Sequence, residues 1–234
     1  EPTTSGVECP IVLDLCHRCG LVQQRYTAPQ DLLYTRHYWY RSGVTDTMRA
    51  ALKDVVTAAC ARVELAPNDV VLDLGSNDGT LLRCYPPWVT RVGVEPAENL
   101  QEEGRRGLSL LMSEFWGGGT ADVLLRHLGG KKARVVTACG MFYDLEDPNP
   151  FVADVAKVLA PDGLFVAQLM CLKQTLERND VGNLCHEHLE FYSLGSLEAL
   201  FNRHGLTIHE VQENEVNGGS YRLYVRHATH PPCH

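Results

Sequence analysis

A run of buried-strand character passes straight into a glycine turn: Val70-Val71-Leu72-Asp73-Leu74-Gly75-Ser76-Asn77-Asp78-Gly79, followed by the helix-compatible Thr80-Leu81-Leu82-Arg83-Cys84. Strand, glycine turn and helix together are how an α/β sheet holds a nucleoside-like ligand at the carboxyl ends of its strands. Glycines at 75 and 79 are expected to let the backbone approach that ligand, where a Cβ would obstruct it.

The details of the turn separate the candidate ligands. A dinucleotide site uses G-x-G-x-x-G, whereas here Gly75 and Gly79 are separated by three polar residues. A pyrophosphate favours bare amides at a helix N-terminus, and Asp78 would repel it. An ammonium would suit Asp78, and S-adenosylmethionine (SAM) carries an ammonium and a sulfonium but no phosphate. The next strand pattern, Arg91-Val92-Gly93-Val94, ends at Glu95. An acid about 20 residues past the turn takes ribose hydroxyls in such sheets.

Alternation continues along the chain. A helix is expected over 45–64 from Met48, Leu52, Val55, Val56, Ala59 and Val63. Strands follow near 69–74, 91–95, 108–112, 133–138 and 163–169, with helices near 98–105, 119–128 and 150–160. Asn149 is the expected cap of the last helix and Ser196 that of a later one ending at Gly205. Leu206–Val211 and Tyr221–Val225 form a terminal hairpin around Asn217-Gly218-Gly219. The expected fold is α/β: a seven-stranded, mostly parallel sheet whose last strand is antiparallel, with a small N-terminal appendage over 1–44 and the main domain over 45–234.

Composition excludes several classes. A net charge of −8 in 234 residues leaves no basic stripe for a nucleic-acid backbone. No apolar run approaches the roughly 20 residues of a membrane span. Scattered cysteines, nine in number, suit a reducing compartment better than a disulfide framework, so a cytoplasmic location is expected. The chain opens on Glu1 rather than Met, which leaves room for a leader or an N-terminal segment upstream.

Two further clusters carry chemistry. Cys16-His17-Arg18-Cys19-Gly20 reads as half of a zinc knuckle, with a redox pair or two unpaired thiols as the alternatives. A structural zinc needs four ligands; Cys9 and His37 are candidates for the remainder, as is a second pair upstream of Glu1. Tyr34, Tyr38, Trp39 and Tyr40, followed by Arg41-Ser42, read either as a packing patch or as a lid over a flat ligand. His186-Glu187-His188 follows the fifth strand on the ligand-binding side of the sheet. It is open to three readings: two histidines and a carboxylate as metal ligands, an imidazole base oriented by a carboxylate, or a hydrogen-bonded surface turn.

Taken in order, Cys16-x-x-Cys19-Gly20-Leu21-Val22-Gln23, Tyr38-x-Tyr40-x-Ser42, Asp73 to Leu82, Gly93-Val94-Glu95-Pro96-Ala97, His186-Glu187-His188 and Gly218-Gly219-Ser220-x-Arg222 resemble the sugar C-methyltransferases of deoxysugar pathways. These act with SAM on nucleotide-linked 4-keto-deoxysugars in antibiotic or polysaccharide biosynthesis. The resemblance implies a class I (Rossmann-like) methyltransferase domain, an N-terminal zinc-binding segment, and a sizeable C-terminal substrate domain that the 234 residues lack, so that either a fragment or a reduced relative with a different substrate is expected. It departs from the family at Cys185, where members carry Tyr, and at Tyr143, where they carry His.

The resemblance implies His188 as the base α to a carbonyl, Glu187 as its orienting group, and Tyr143 or Tyr192 as donor to the enolate oxygen. Around the cofactor it implies Tyr40 and Ser42 as a cover. Asp73, Gly75, Ser76, Asn77 and Asp78 would meet the methionine part, and Glu95 with Pro96 the ribose. Ser113 to Phe115 would border the adenine, with Ala138 and Cys139 beside them. Gln168 and Arg222 would meet substrate, and Cys16 and Cys19 a metal. The expected partner is a small molecule, a nucleotide sugar or related ketone. Two alternatives differ in kind: an O- or N-methyltransferase, and a non-catalytic SAM-binding subunit.

Overall fold

The computed structural model describes residues 8–35 and 38–230. Seven strands form the main sheet in the order β5-β4-β3-β6-β7-β10-β9. They are β3 (Val70–Leu74), β4 (Thr90–Val94), β5 (Leu110–Met112), β6 (Ala133–Cys139), β7 (Leu159–Met170), β9 (Leu206–Asn214) and β10 (Ser220–His227). All run parallel except β10, which is antiparallel to both β7 and β9. β3 lies between β4 and β6 and all five of its residues are buried. That explains its unbroken apolar run, since a strand covered on both faces has no polar side to present.

The helices are α1 (Asp46–Cys60), α2 (Thr80–Arg83), α3 (Gln101–Gly104), α4 (Thr120–His127), α5 (Pro148–Val158), α6 (Leu172–Arg178) and α7 (Leu194–Arg203). Leu72 and Leu74 pack with Leu124 of α4, Phe151 and Val155 of α5, and Leu197 and Phe201 of α7. Val71, on the opposite face, packs with Leu52, Val55 and Val56 of α1 and Leu81 and Leu82 of α2. The alternation of side chains along a strand thus builds two core layers. No described helix is long and apolar enough to cross a membrane.

Two caps differ from expectation. α5 is capped by Asp147, whose side chain accepts from the Asn149 N–H, and Pro148 occupies its first position. α7 is capped by Ser193; Ser196 sits three residues on and completes a reciprocal pair with it. In each case a second capping-competent residue nearby carried the same local signal.

A second, three-stranded sheet was not anticipated. β1 (Leu13–Leu15) pairs with β2 (Val22–Gln24), and β2 pairs with β8 (Glu190–Phe191), just after the His-Glu-His triplet. The side-chain amide of Gln24 donates to the carbonyls of Cys185 and His188 at 2.6 and 2.8 Å. The N-terminal segment therefore props the triplet from behind.

Candidate active site

The glycine turn leaves β3 at Gly75 and starts α2 at Gly79, both at positive φ (69° and 78°). A Cβ at Gly79 would stand 2.9 Å from the Gly104 carbonyl oxygen. The obstacle there is protein, and Gly79 does not line the cavity; Gly75 does line it, and a Cβ there would meet the Met141 side chain at 2.9 Å. Glu95, at the end of β4, is clamped beside the turn: its Oε2 accepts from the Asn77 N–H and its Oε1 from the Ala97 N–H, both at 2.8 Å. Burial pushes its carboxyl above the usual range, and the two amides pull the other way.

Here a cavity of about 390 Å³ opens, within the range of small-molecule sites. Gly75, Asn77, Glu95 and Pro96 form its floor, Phe115 and Cys139 one side, and Tyr40 and Ser42 the cover. Asn77 fastens the cover: its Oδ1 accepts from the Ser42 N–H at 2.9 Å and its Nδ2 donates to the Tyr40 carbonyl at 3.0 Å. Tyr34 and Tyr38 line the same cavity, so the aromatic cluster faces the ligand space through three rings. Trp39 is 86% exposed and does not.

The other expected cofactor residues stand behind the wall. Asp73 is buried, accepts from the Thr137 hydroxyl at 2.5 Å, and is pushed up to about 8 by burial. Asp78 does not face the cavity to meet an ammonium. Its carboxylate accepts from the Gly43 and Thr80 N–H groups and so latches the N-terminal segment to the turn. Ser76 and Ala138 are buried beneath the turn, and Ser113 is exposed outside, where its neighbours Glu114 and Phe115 form the wall instead.

The His-Glu-His triplet is neither strand nor helix but a turn, closed by the His188 N–H on the Cys185 carbonyl at 3.2 Å. Its two imidazoles diverge. His186 Nε2 donates to the Cys9 carbonyl, whereas His188 Nδ1 donates to the Asn183 carbonyl at 2.9 Å. That bond fixes the His188 tautomer and leaves the Nε2 lone pair for a proton. Burial lowers the His188 pKa below the usual histidine value. The ring meets Tyr143 edge-on, with centroids 4.7 Å apart. Tyr34 donates to the Glu187 carbonyl at 3.2 Å, which ties the triplet to the cavity wall, although His188, Glu187 and Tyr143 are not among the lining residues.

Three residues expected to meet substrate lie outside the main cavity. Arg222 donates to Gln168 at 2.8 Å and to Asp54 at 2.7 Å, and both Arg222 and Gln168 are buried away from the cavity, holding β10 to β7 and α1. Tyr192 lines a second cavity, together with Cys16, Cys19, Glu190 and Arg203. Both expected donors to an enolate are thus outside the main cavity. Asp144, one of the carboxyls that line it, was not singled out; its only sequence signal was an acid just beyond β6.

Cys16 and Cys19 stand together in a knuckle, with the Gly20 N–H on the Cys16 carbonyl at 2.8 Å and Gly20 at φ 73°. Two backbone N–H groups and the Cys19 thiol lower the Cys16 pKa. Among the described residues no group of three or more His, Cys, Asp or Glu side chains is placed to hold a metal. This bears on the metal reading of His186-Glu187-His188 as well as on the knuckle. His37 lies outside the described residues.

A parallel sheet with one antiparallel strand inserted beside its edge, a glycine turn after its central strand, and a clamped acid on the next strand define the class I methyltransferase fold. Residues 44–211 match the family described as a methyltransferase domain, and the chain belongs to that family as a SAM-dependent methyltransferase domain. A relative, the C-methyltransferase NovU of Streptomyces niveus, is 31% identical over 218 residues, covering 92% of this chain and 51% of its own. The chain therefore spans about half the length of that relative.

Solved structures agree on the fold. Magnesium protoporphyrin IX methyltransferase from Synechocystis, with bound SAM, superposes with a TM-score of 0.54 at 14% identity, over 76% of this chain and 79% of that one. A SAM-dependent methyltransferase of Leishmania major gives 0.58 at 12% identity, over 79% and 75%.

Proposed function

We propose that this domain transfers the SAM methyl group to a carbon next to a carbonyl, on a nucleotide-linked keto-deoxysugar or a related ketone. The observation that carries the reading is the continuity of one cavity. It runs from the Gly75 turn and the Glu95 clamp to a corner of tyrosines and Asp144 tied to the His188 turn. The C-methyltransferase relative supports the carbon acceptor.

In this reading Glu95 accepts from the ribose hydroxyls with the lone pairs its amide partners leave free. The methionine part lies along Gly75 and Asn77, and the adenine against Phe115. His188 Nε2 removes the proton α to the carbonyl, and Glu187 steadies the imidazolium that forms. General-base catalysis contributes about 10²–10⁴-fold; alignment of carbon, methyl and sulfur contributes through effective concentration. Cys16 and Cys19 would supply two ligands of a structural zinc. The described residues do not complete that set, and no chemical step depends on it.

His188→Ala tests the base. Turnover with a 4-keto-6-deoxy nucleotide sugar is expected to fall at least about 100-fold, with SAM affinity by calorimetry within threefold of wild type. Loss of both together, or retention of turnover, contradicts the role.

A further inference from the structure

Of the cavity acids for which the chemistry above has no use, Glu114, Glu146 and Asp147 are exposed to solvent and Asp144 is not. It closes the short turn Phe142–Asp144 just beyond β6 and lines the cavity with Tyr34, Tyr38 and Met141. Its Oδ1 is buried without a hydrogen-bond partner. The titratable groups around it are Tyr34 and Tyr38 from the N-terminal segment, Tyr143 from its own turn and Glu187 from the triplet turn, and the exposed Glu146 and Asp147 follow it along the cavity wall. Among the described residues no Lys or Arg lines the cavity.

A carboxylate in that setting has a carboxylate neighbour and no counter-cation. Burial first, and then the charge of Glu187, push its pKa well above the usual carboxylate range. A neutral carboxyl is a hydrogen-bond donor as well as an acceptor. An apolar site that keeps an acid protonated near neutral pH is a known way to place a strong donor on an enolate oxygen.

We propose that Asp144 donates a hydrogen bond to the carbonyl oxygen of the acceptor and holds that oxygen as negative charge develops on it. This rests on the reaction proposed above and gives Asp144 the part that the sequence assigned to Tyr143 or Tyr192. As the α C–H bond breaks, the proton passes to His188 Nε2. The electron pair delocalises onto the oxygen that Asp144 meets. The pair returns to form the C–CH₃ bond as the S–CH₃ bond of SAM breaks, its electrons staying on sulfur. The carbonyl re-forms, and Asp144 keeps its own proton throughout.

The test separates enolisation from methyl transfer. With S-adenosylhomocysteine bound, exchange of the α-proton of a 4-keto-6-deoxy nucleotide sugar is followed by NMR in D₂O. Wild type is expected to exchange, with a rate that falls at high pH as Asp144 ionises. Asp144→Asn keeps an N–H donor and should stay within about tenfold while losing that high-pH fall. Asp144→Val should drop at least about 100-fold, the cost of removing one oxyanion donor, with S-adenosylhomocysteine affinity within threefold.

Exchange by Asp144→Val at the wild-type rate overturns the assignment, as does an Asp144→Asn variant that binds S-adenosylhomocysteine normally yet is as slow as the valine variant. If Asp144→Val no longer binds S-adenosylhomocysteine, the asparagine pH profile decides, and persistence of the high-pH fall overturns the assignment. Failure of wild type itself to exchange or methylate any keto sugar strikes the reaction reading, and this assignment falls with it.

Discussion

Replacing Glu95 by Gln separates the structural and ligand-binding duties of one carboxylate. Each Glu95 oxygen accepts a buried backbone N–H, from Asn77 and from Ala97. The amide of Gln offers one oxygen and one NH₂, so one of those N–H groups must face a donor. An orphaned buried donor costs about 1–3 kcal/mol, which for a domain of this size lowers Tm by roughly 2–12 °C. The variant should therefore fold but melt earlier. Loss of the charged acceptor also weakens the bond from a ribose hydroxyl by about 1.5–3 kcal/mol, equivalent to a rise in Kd of roughly 10- to 150-fold.

Calorimetric titration with S-adenosylhomocysteine, below the Tm of both proteins, reads that loss. Repeating it with an analogue lacking the 2′- and 3′-hydroxyls completes a cycle. The substitution should weaken the natural ligand and leave the deoxy analogue nearly unchanged. Equal weakening of both ligands, or natural-ligand affinity within threefold of wild type, refutes the ribose assignment.

Two further outcomes follow from the same geometry. Gly79→Ala forces a side chain into a left-handed position and against the Gly104 carbonyl. It should cost at least about 1–2 kcal/mol, read as a Tm lower by several degrees, and an unchanged Tm contradicts the turn geometry. Asp73 is pushed up to about 8 in the fold, so the folded state holds a proton that the unfolded chain releases near pH 4. Its contribution is full below that pH and is lost as pH rises toward 8, by about 1.4 kcal/mol per unit. Asp73→Asn keeps an acceptor for Thr137 but cannot titrate. Between pH 5 and 8 wild type should lose stability relative to this variant, and parallel Tm curves would refute the buried-acid reading.

The sheet was legible because its central strands are covered on both faces and read as apolar runs between turn residues; Val70–Leu74 is the clearest case. That Gly75, Asn77 and Glu95 share one cavity was legible because the turn after one strand and the end of the next lie side by side in βαβ. Side-chain direction was not. Asp78 and Asn77 are adjacent and equally polar, yet one latches Gly43 and the other faces the cavity. Arg222 and Gln168 stand opposite each other across β10 and β7, a register no local pattern reveals. The pairing of β2 with β8 joins residues more than 160 apart, and with it the support under His188 stayed hidden. Asp144 was missed for a related reason: an acid after a strand is ordinary until its partners prove to be tyrosines and another acid.

The most direct measurement is transfer from SAM labelled with ¹³C in its methyl group to a 4-keto-6-deoxy nucleotide sugar, with the product read by NMR. The account predicts one new carbon-bound methyl on the carbon next to the carbonyl, with loss of the proton that carbon bore. Label on oxygen or nitrogen, or SAM binding without transfer to any keto sugar, contradicts it.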